Sequence, residues 1–153
     1  MTSQKQRQLL ILLDGLKMSN NADFKRNFAK LLDAVGDKSE LVVKKVAEDL
    51  INSVVLKSPV DTGAFRGNWN LSFGAADLSN SAPGNTDSVG KARAKLAGFK
   101  MGDHIFIVNN MPYAKRLEFD SWSSQAPQGM VRITVLEYGM YLRKQVQRLK
   151  NGG

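Results

Sequence analysis

The chain has 153 residues, 42% hydrophobic and 24% charged, a balance that fits one folded domain with a modest core and excludes wholesale disorder. It contains no cysteine, which excludes disulfide frameworks, thiol nucleophiles and thiolate metal sites and suits synthesis in a reducing cytoplasm. The net charge of +8 permits nucleic acid, an anionic surface or an acidic protein as a partner and chooses none of them.

Near the N-terminus the apolar run Leu9 to Leu13 follows Lys5 and Arg7, like the opening of a signal peptide. It stops at Asp14, short of the roughly 7–15 residues of a secretory apolar region and the roughly 20 of a bilayer span, so the chain reads as soluble. Phe24, Phe28, Leu31, Leu32 and Val35 recur at helical spacing, with Asn21 or Asp23 as N-cap, and predict a short amphipathic helix. After Gly36, Asp37 and Glu40 match a capping box, and Val43, Val46, Ala47, Leu50, Ile51 and Val54 mark one face of a longer helix. Pro59 has no amide hydrogen and biases Ser58 away from helix, so this helix should stop near Leu56 or Lys57.

The triplet Asp61-Thr62-Gly63 then predicts a tight turn, in which the Asp side chain accepts backbone amides and Gly takes a positive φ. Trp69, Leu71 and Phe73 alternate with Asn68, Asn70 and Ser72, the period-two signature of a strand with one buried face. Gly, Ala, Ser, Asn, Asp and Pro dominate Gly74 to Asp87, a composition that buries too little apolar surface to offset its ordering entropy; a mobile loop is expected. Val89, Ala92, Leu96 and Phe99 suggest a short basic helix within Ser88 to Lys100, carrying Lys91, Arg93 and Lys95. Gly102-Asp103 turns into Ile105 to Val108, a continuous apolar run expected to form a central strand covered on both faces.

Pro112 suits the first turn of a brief helix holding Tyr113 and Leu117, before a polar loop from Asp120 to Gly129. In the final segment Val131, Ile133 and Val135 alternate like a strand, whereas Val131, Val135, Tyr138, Leu142, Val146 and Leu149 form a helical stripe; length favours the helix. Arg143, Lys144, Arg148 and Lys150 complement the negative C-terminal end of such a helix. The elements add up to an α+β chain forming a single structural domain over residues 1–153, with a small antiparallel or mixed sheet packed on a long central helix and a long C-terminal helix.

Recognisable chemistry is sparse. His104, the one histidine, has no neighbouring serine or carboxylate cluster that makes a catalytic signature. A zinc site would draw on several His and Cys ligands, and a carboxylate metal site on clustered acids; neither pattern is present. Asp61, Asp103, Glu118 and Asp120 read as turn and surface residues rather than an acid/base pair, and no nucleotide-binding glycine motif occurs. The reading is therefore a chain without catalytic residues, metal or cofactor. Trp69 lies on an alternating apolar face and reads as core; Trp122, in a loop, is left for an interface.

Two stretches carry more specific information. One is Ser58-Pro-Val-Asp-Thr-Gly-Ala-Phe-Arg-Gly-Asn-Trp69; the other runs from Val108-Asn-Asn-Met-Pro-Tyr-Ala-Lys-Arg-Leu-Glu118 through Gln125-Ala-Pro-Gln-Gly129 to Val135. Together they resemble the neck and tail-completion proteins of long-tailed bacteriophages. In that family a helix ends in a Pro-Val-Asp-Thr-Gly turn followed by an arginine and a tryptophan, and an Asn-Asn-x-Pro-Tyr-Ala segment precedes a leucine-glutamate pair. The motif positions here are Pro59, Asp61, Thr62, Gly63, Arg66 and Trp69 in the first stretch, and Asn109, Asn110, Pro112, Tyr113, Leu117, Glu118, Ala126, Pro127 and Gly129 in the second. Order agrees over about residues 41–149. One departure follows Leu117-Glu118, where many relatives continue with an aromatic and a glycine and this chain has Phe119-Asp120-Ser121-Trp122.

The resemblance implies a structural virion protein at the neck or head-proximal tail end, completing the tail and enabling head-tail joining, with no enzymatic activity and no membrane. It implies a homo-oligomeric ring, sixfold by inference from tail architecture in such phages. Expected partners are the tail terminator or tail tube, head-connector proteins, and DNA in the channel through non-specific contact. Within the subunit, Asp61 is expected to order the turn, Arg66 to reach a carboxylate, and Trp69 and Tyr113 to anchor packing. The alternative reading is a small basic nucleic-acid-binding protein; a hydrolase would have few familiar catalytic devices.

Overall fold

The computed structural model describes residues 35–81 and 87–152, together with the single positions Arg26, Ala29, Lys30 and Asp33. The expected first helix falls largely outside the described residues, as do Leu9 to Leu13 and Phe24, Phe28, Leu31 and Leu32. Its last position, Val35, is helical and packs against the helix pair below.

Helix α1 spans Ser39–Lys57. The expected capping box does not form. Gly36 takes φ +57° and opens a short 3-10 turn over Gly36–Lys38, so the helix proper starts two residues beyond Asp37. Ser39 Oγ closes the turn on the Gly36 carbonyl at 2.6 Å. Glu40 is thereby left to pair with Lys44 at 3.4 Å, an i,i+4 partner. At the other end Ser58 is extended, as its position before Pro59 requires.

Strand β1, Trp69–Phe73, pairs antiparallel with β2, Ile105–Asn109, in the register Trp69↔Asn109, Leu71↔Ile107 and Phe73↔Ile105. Asn68 falls in a 3-10 turn ahead of β1 rather than in the strand. The sheet has two strands among the described residues, so β2 is not the central strand its unbroken apolar run suggested. Its burial on both faces has another source. Ile107 packs into the core, while Val108 on the opposite face shares that face with Asn70 and Ser72, whose side chains hold residues 75–79. A returning segment, not a third strand, accompanies the burial of Val108.

Helix α2 spans Ser88–Leu96 and is capped by Asp87, whose carboxylate accepts the Gly90 amide at 2.9 Å. It ends earlier than the expected Lys100, and Phe99, buried beyond it, packs on Phe73 with ring centroids 5.8 Å apart. Helix α3, Ala114–Phe119, follows Pro112 and Tyr113. The ambiguous final segment is helical: α4 spans Val131–Lys150. The fold is α+β, with a two-stranded antiparallel sheet packed with long helices.

One apolar cluster joins Ile51 and Val54 of α1 to Trp69, Leu71, Leu96 and Ile107. A second lies between α1 and α4, built from Val42, Val46, Leu142 and Val146. Each fully buried Val or Leu there contributes about 1.5–3 kcal/mol before entropy is charged against it. The two helices run antiparallel, since Ser53 meets Thr134 at 2.8 Å while Asp49, earlier on α1, meets Gln145, later on α4, at 2.7 Å.

Candidate functional site

The two motif stretches fold against each other. Phe65 stacks edge-on to Trp69 at 5.9 Å and lies 5.8 Å from Tyr113, so Trp69 and Tyr113 share an aromatic anchor. Asn109 donates from Nδ2 to the Phe65 carbonyl at 2.7 Å and accepts the Met111 amide at 3.1 Å. Gln125 grips both backbone groups of Val60, accepting its amide at 2.9 Å and donating to its carbonyl at 3.1 Å. Pro59 and the turn after it are thereby tied to the loop that leads into α4.

Among the described residues Arg66 meets no carboxylate. It donates from Nε to the Ser58 carbonyl and through a terminal nitrogen to the Leu56 carbonyl, both at 2.9 Å. These carbonyls lie where α1 runs out of helical donors, so the guanidinium caps the negative end of that helix. Ser58, which sequence reasoning passed over, is buried between two partners. Its hydroxyl accepts the Trp69 indole N–H at 2.8 Å and donates to the Val54 carbonyl. The only sequence signal for this was a small polar residue immediately before the helix-stopping Pro59.

Asp61 also departs from expectation. It is exposed, and its carboxylate accepts no hydrogen bond among the described residues. The turn is held instead by Thr62 Oγ1, which accepts the Ala64 amide at 3.3 Å, and by Gly63, at φ +81°, whose carbonyl accepts the Gly67 amide at 2.9 Å. Asp61→Ala is therefore expected to leave the unfolding free energy from urea titration within about 0.5 kcal/mol of wild type. A loss well above that in equilibrium unfolding would restore the turn-ordering role.

Glu118 organises the second stretch. It is only 4% exposed, and its carboxylate accepts the amides of Met130 at 2.7 Å, Val131 at 2.9 Å and Arg132 at 2.9 Å. These are amides at the start of α4 that have no intrahelical acceptor, so a residue twelve or more positions away caps the helix. The Arg132 guanidinium completes the charge pairing at 3.2 Å and also binds the Glu118 carbonyl. Gly129 makes the approach feasible: at φ +82°, a Cβ there would lie 2.5 Å from the Glu118 carbonyl oxygen. Ala126 and Leu117 are buried beside this joint, and the Pro127 carbonyl accepts the Ser121 hydroxyl at 2.7 Å. Ser121 itself has φ +50°.

Asparagines fasten the segment after β1. Asn68, 2% exposed, accepts the Ser81 amide at 2.6 Å, Asn70 donates to Ser79 at 2.8 Å, and Asn110 donates to the Leu78 carbonyl at 2.9 Å. Residues 82–86 of the expected loop lie outside the described residues.

A polar seam crosses the helix pair. Lys57 meets Glu137 at 2.8 Å, and Tyr141 donates to the same carboxylate at 2.7 Å. The Lys57 hydrogen bond holds the Glu137 carboxyl below its ordinary value; burial pushes the Tyr141 and Tyr138 phenols upward. His104 directly precedes β2, and its carbonyl accepts the Gly74 amide.

Beyond these joints, α4 presents a second line of apolar residues. Leu136 is 82% exposed and Met140 55%, one turn apart, with half-buried Ile133 a turn earlier. They lie away from the stripe that packs on α1, and the three- and four-residue spacing of 133, 136 and 140 was the legible signal for them. Leu56, 62% exposed, precedes the lysine that pairs with Glu137. Trp122 is 56% exposed, with Arg116 5.6 Å over its ring.

Among the described residues no group of three or more His, Cys, Asp or Glu side chains is placed to hold a metal ion, and no helix is long and apolar enough to cross a membrane. No family model, curated protein or solved structure matches the chain.

Proposed function

We propose that the chain is a structural subunit of a ring at the phage neck or head-proximal end of the tail, completing the tail so that head and tail can join. The observation that carries the reading is the apolar line on α4: Leu136 and Met140 face outward from a helix whose opposite face already fills the core. Large apolar side chains grouped on a surface mark a contact with another protein. A second copy of the chain is the occupant. A closed ring needs one surface to bind a different surface of the next copy, and the exposed Trp122 loop offers such a second surface.

The motif residues support the same reading from inside. Arg66, Trp69, Asn109 and Glu118, with Ser58 beside them, lock the joints between α1, β1, β2 and α4, which suits a stiff subunit in a ring that transmits force. No enzymatic role is assigned.

The test is electron microscopy of a lysate from a phage carrying a nonsense mutation in the gene for this chain. DNA-filled heads beside unattached or abnormally ended tails are expected. Normal, infectious particles would overturn the reading.

A further inference from the structure

The C-terminal half of α4 differs from the basic helix α2. On α2, Arg93 is paired with Glu48 at 2.9 Å and Lys95 lies 3.7 Å from Asp77, so that helix is largely neutralised within the subunit. On α4, Arg143, Lys144, Arg148 and Lys150 are all exposed, and no carboxylate lies within ion-pair distance of any of them among the described residues. No acidic residue follows Glu137 in the sequence, and Glu137 is already held by Lys57. At about 100° per residue, Arg143, Lys144 and Arg148 fall on the side of the helix away from buried Leu142, Gln145 and Val146, and Lys150 lies at the flank of that side. They cover roughly 10 Å of helix length.

From this stripe we infer a binding surface for double-stranded DNA, engaged through backbone phosphates without reading sequence. Two features favour DNA over an acidic protein. Within residues 143–150 Gln147 is the one other exposed position, and the neighbouring exposed apolar side chain, Met140, belongs to the line assigned above to the contact between copies. A protein interface needs a desolvated apolar or aromatic centre, whereas a phosphate lattice needs only cations at adaptable positions. Duplex DNA also presents one charge per about 1.7 Å of axis, so a stripe of this length meets several phosphates without a required register. The apolar line of Leu136 and Met140 occupies the other half of the same face, which divides it between a protein contact and a DNA contact.

The inference deepens the neck reading by naming what the ring would meet in its channel. Its test is nonetheless independent of ring formation. Binding of the full chain to a short fluorescent DNA duplex is measured by anisotropy across a salt series. Wild type should bind with a log–log salt slope of about −3 to −4, as expected when about four phosphates are neutralised. A variant combining Arg143→Gln, Lys144→Gln, Arg148→Gln and Lys150→Gln keeps good helix formers and should lose most of the slope, with at least tenfold weaker binding at low salt. A variant combining Lys91→Gln, Arg93→Gln and Lys95→Gln removes nearly as much charge and should retain most of the slope. Circular dichroism confirms that both variants fold.

Equal loss in the two variants would mean that binding tracks net charge, and would overturn the assigned surface. Absence of duplex binding by wild type would overturn it too; if the α4 variant then also failed in particle assembly, an acidic protein would be the partner. None of these results decides whether particles form with wild-type protein, and normal particles from the nonsense mutant would leave the DNA measurement standing.

Discussion

Glu118→Ala is expected to destabilise the subunit by about 3–5 kcal/mol, on the order of 10 °C in Tm for a chain of this size. The substitution removes one carboxylate, yet it leaves three amides at the start of α4 without their acceptor and the Arg132 guanidinium without its buried partner. Such groups cost about 1–3 kcal/mol each when left unpaired, reduced where water can enter. Glu118→Gln keeps the volume but lacks the charge and one acceptor oxygen, so it should fall between alanine and wild type. Arg132→Ala should cost least of the three, because Arg132 is partly exposed and the carboxylate retains its amides. Urea unfolding of the three variants checks the order. A Glu118→Ala unfolding free energy within about 1 kcal/mol of wild type would show that the cap does not hold α4 in place.

The second large effect falls on assembly and should leave folding untouched. Leu136→Gln together with Met140→Gln replaces two exposed apolar side chains by good helix formers, so the melting of the subunit should move by less than about 0.5 kcal/mol. If the α4 line is buried between copies, losing the two side chains removes roughly 2–4 kcal/mol from each interface, about 100-fold in affinity. Around a ring that penalty recurs at every contact. Sedimentation velocity should then show the wild-type oligomer replaced by monomer. An unchanged oligomer distribution would place the interface elsewhere on the surface. The Glu118 and Leu136 experiments separate the two halves of the proposal, since one attacks the stiffness of the subunit and the other its contacts.

Local pattern alone determined the elements whose signals are short-range. The spacing of Val46, Ala47, Ile51 and Val54 specified α1, the extended residue before Pro59 specified its end, and the alternation of Trp69, Leu71 and Phe73 specified β1. The α+β class followed, because period and breaker residues act within a few positions of themselves. The motif residues were legible as a set but not in their roles. Asp61 was expected to order the turn and is exposed, whereas Ser58, an inconspicuous residue, holds the Trp69 indole.

What only the tertiary structure decided are the partnerships between residues far apart in the chain. Arg66 caps the end of α1, Glu118 caps the start of α4, and asparagines fasten residues 75–81 over β1. A helix end carries unpaired amides or carbonyls whatever its sequence, and any donor or acceptor that the fold brings near can satisfy them. The sequence therefore shows that a cap is needed without showing which residue supplies it. The charge of the chain was visible from the start in the same incomplete way. Packing decided that the cations of α2 are largely spent on Glu48 and Asp77 while Arg143, Lys144, Arg148 and Lys150 meet no carboxylate among the described residues, because neutralisation depends on which carboxylates come within a few ångströms.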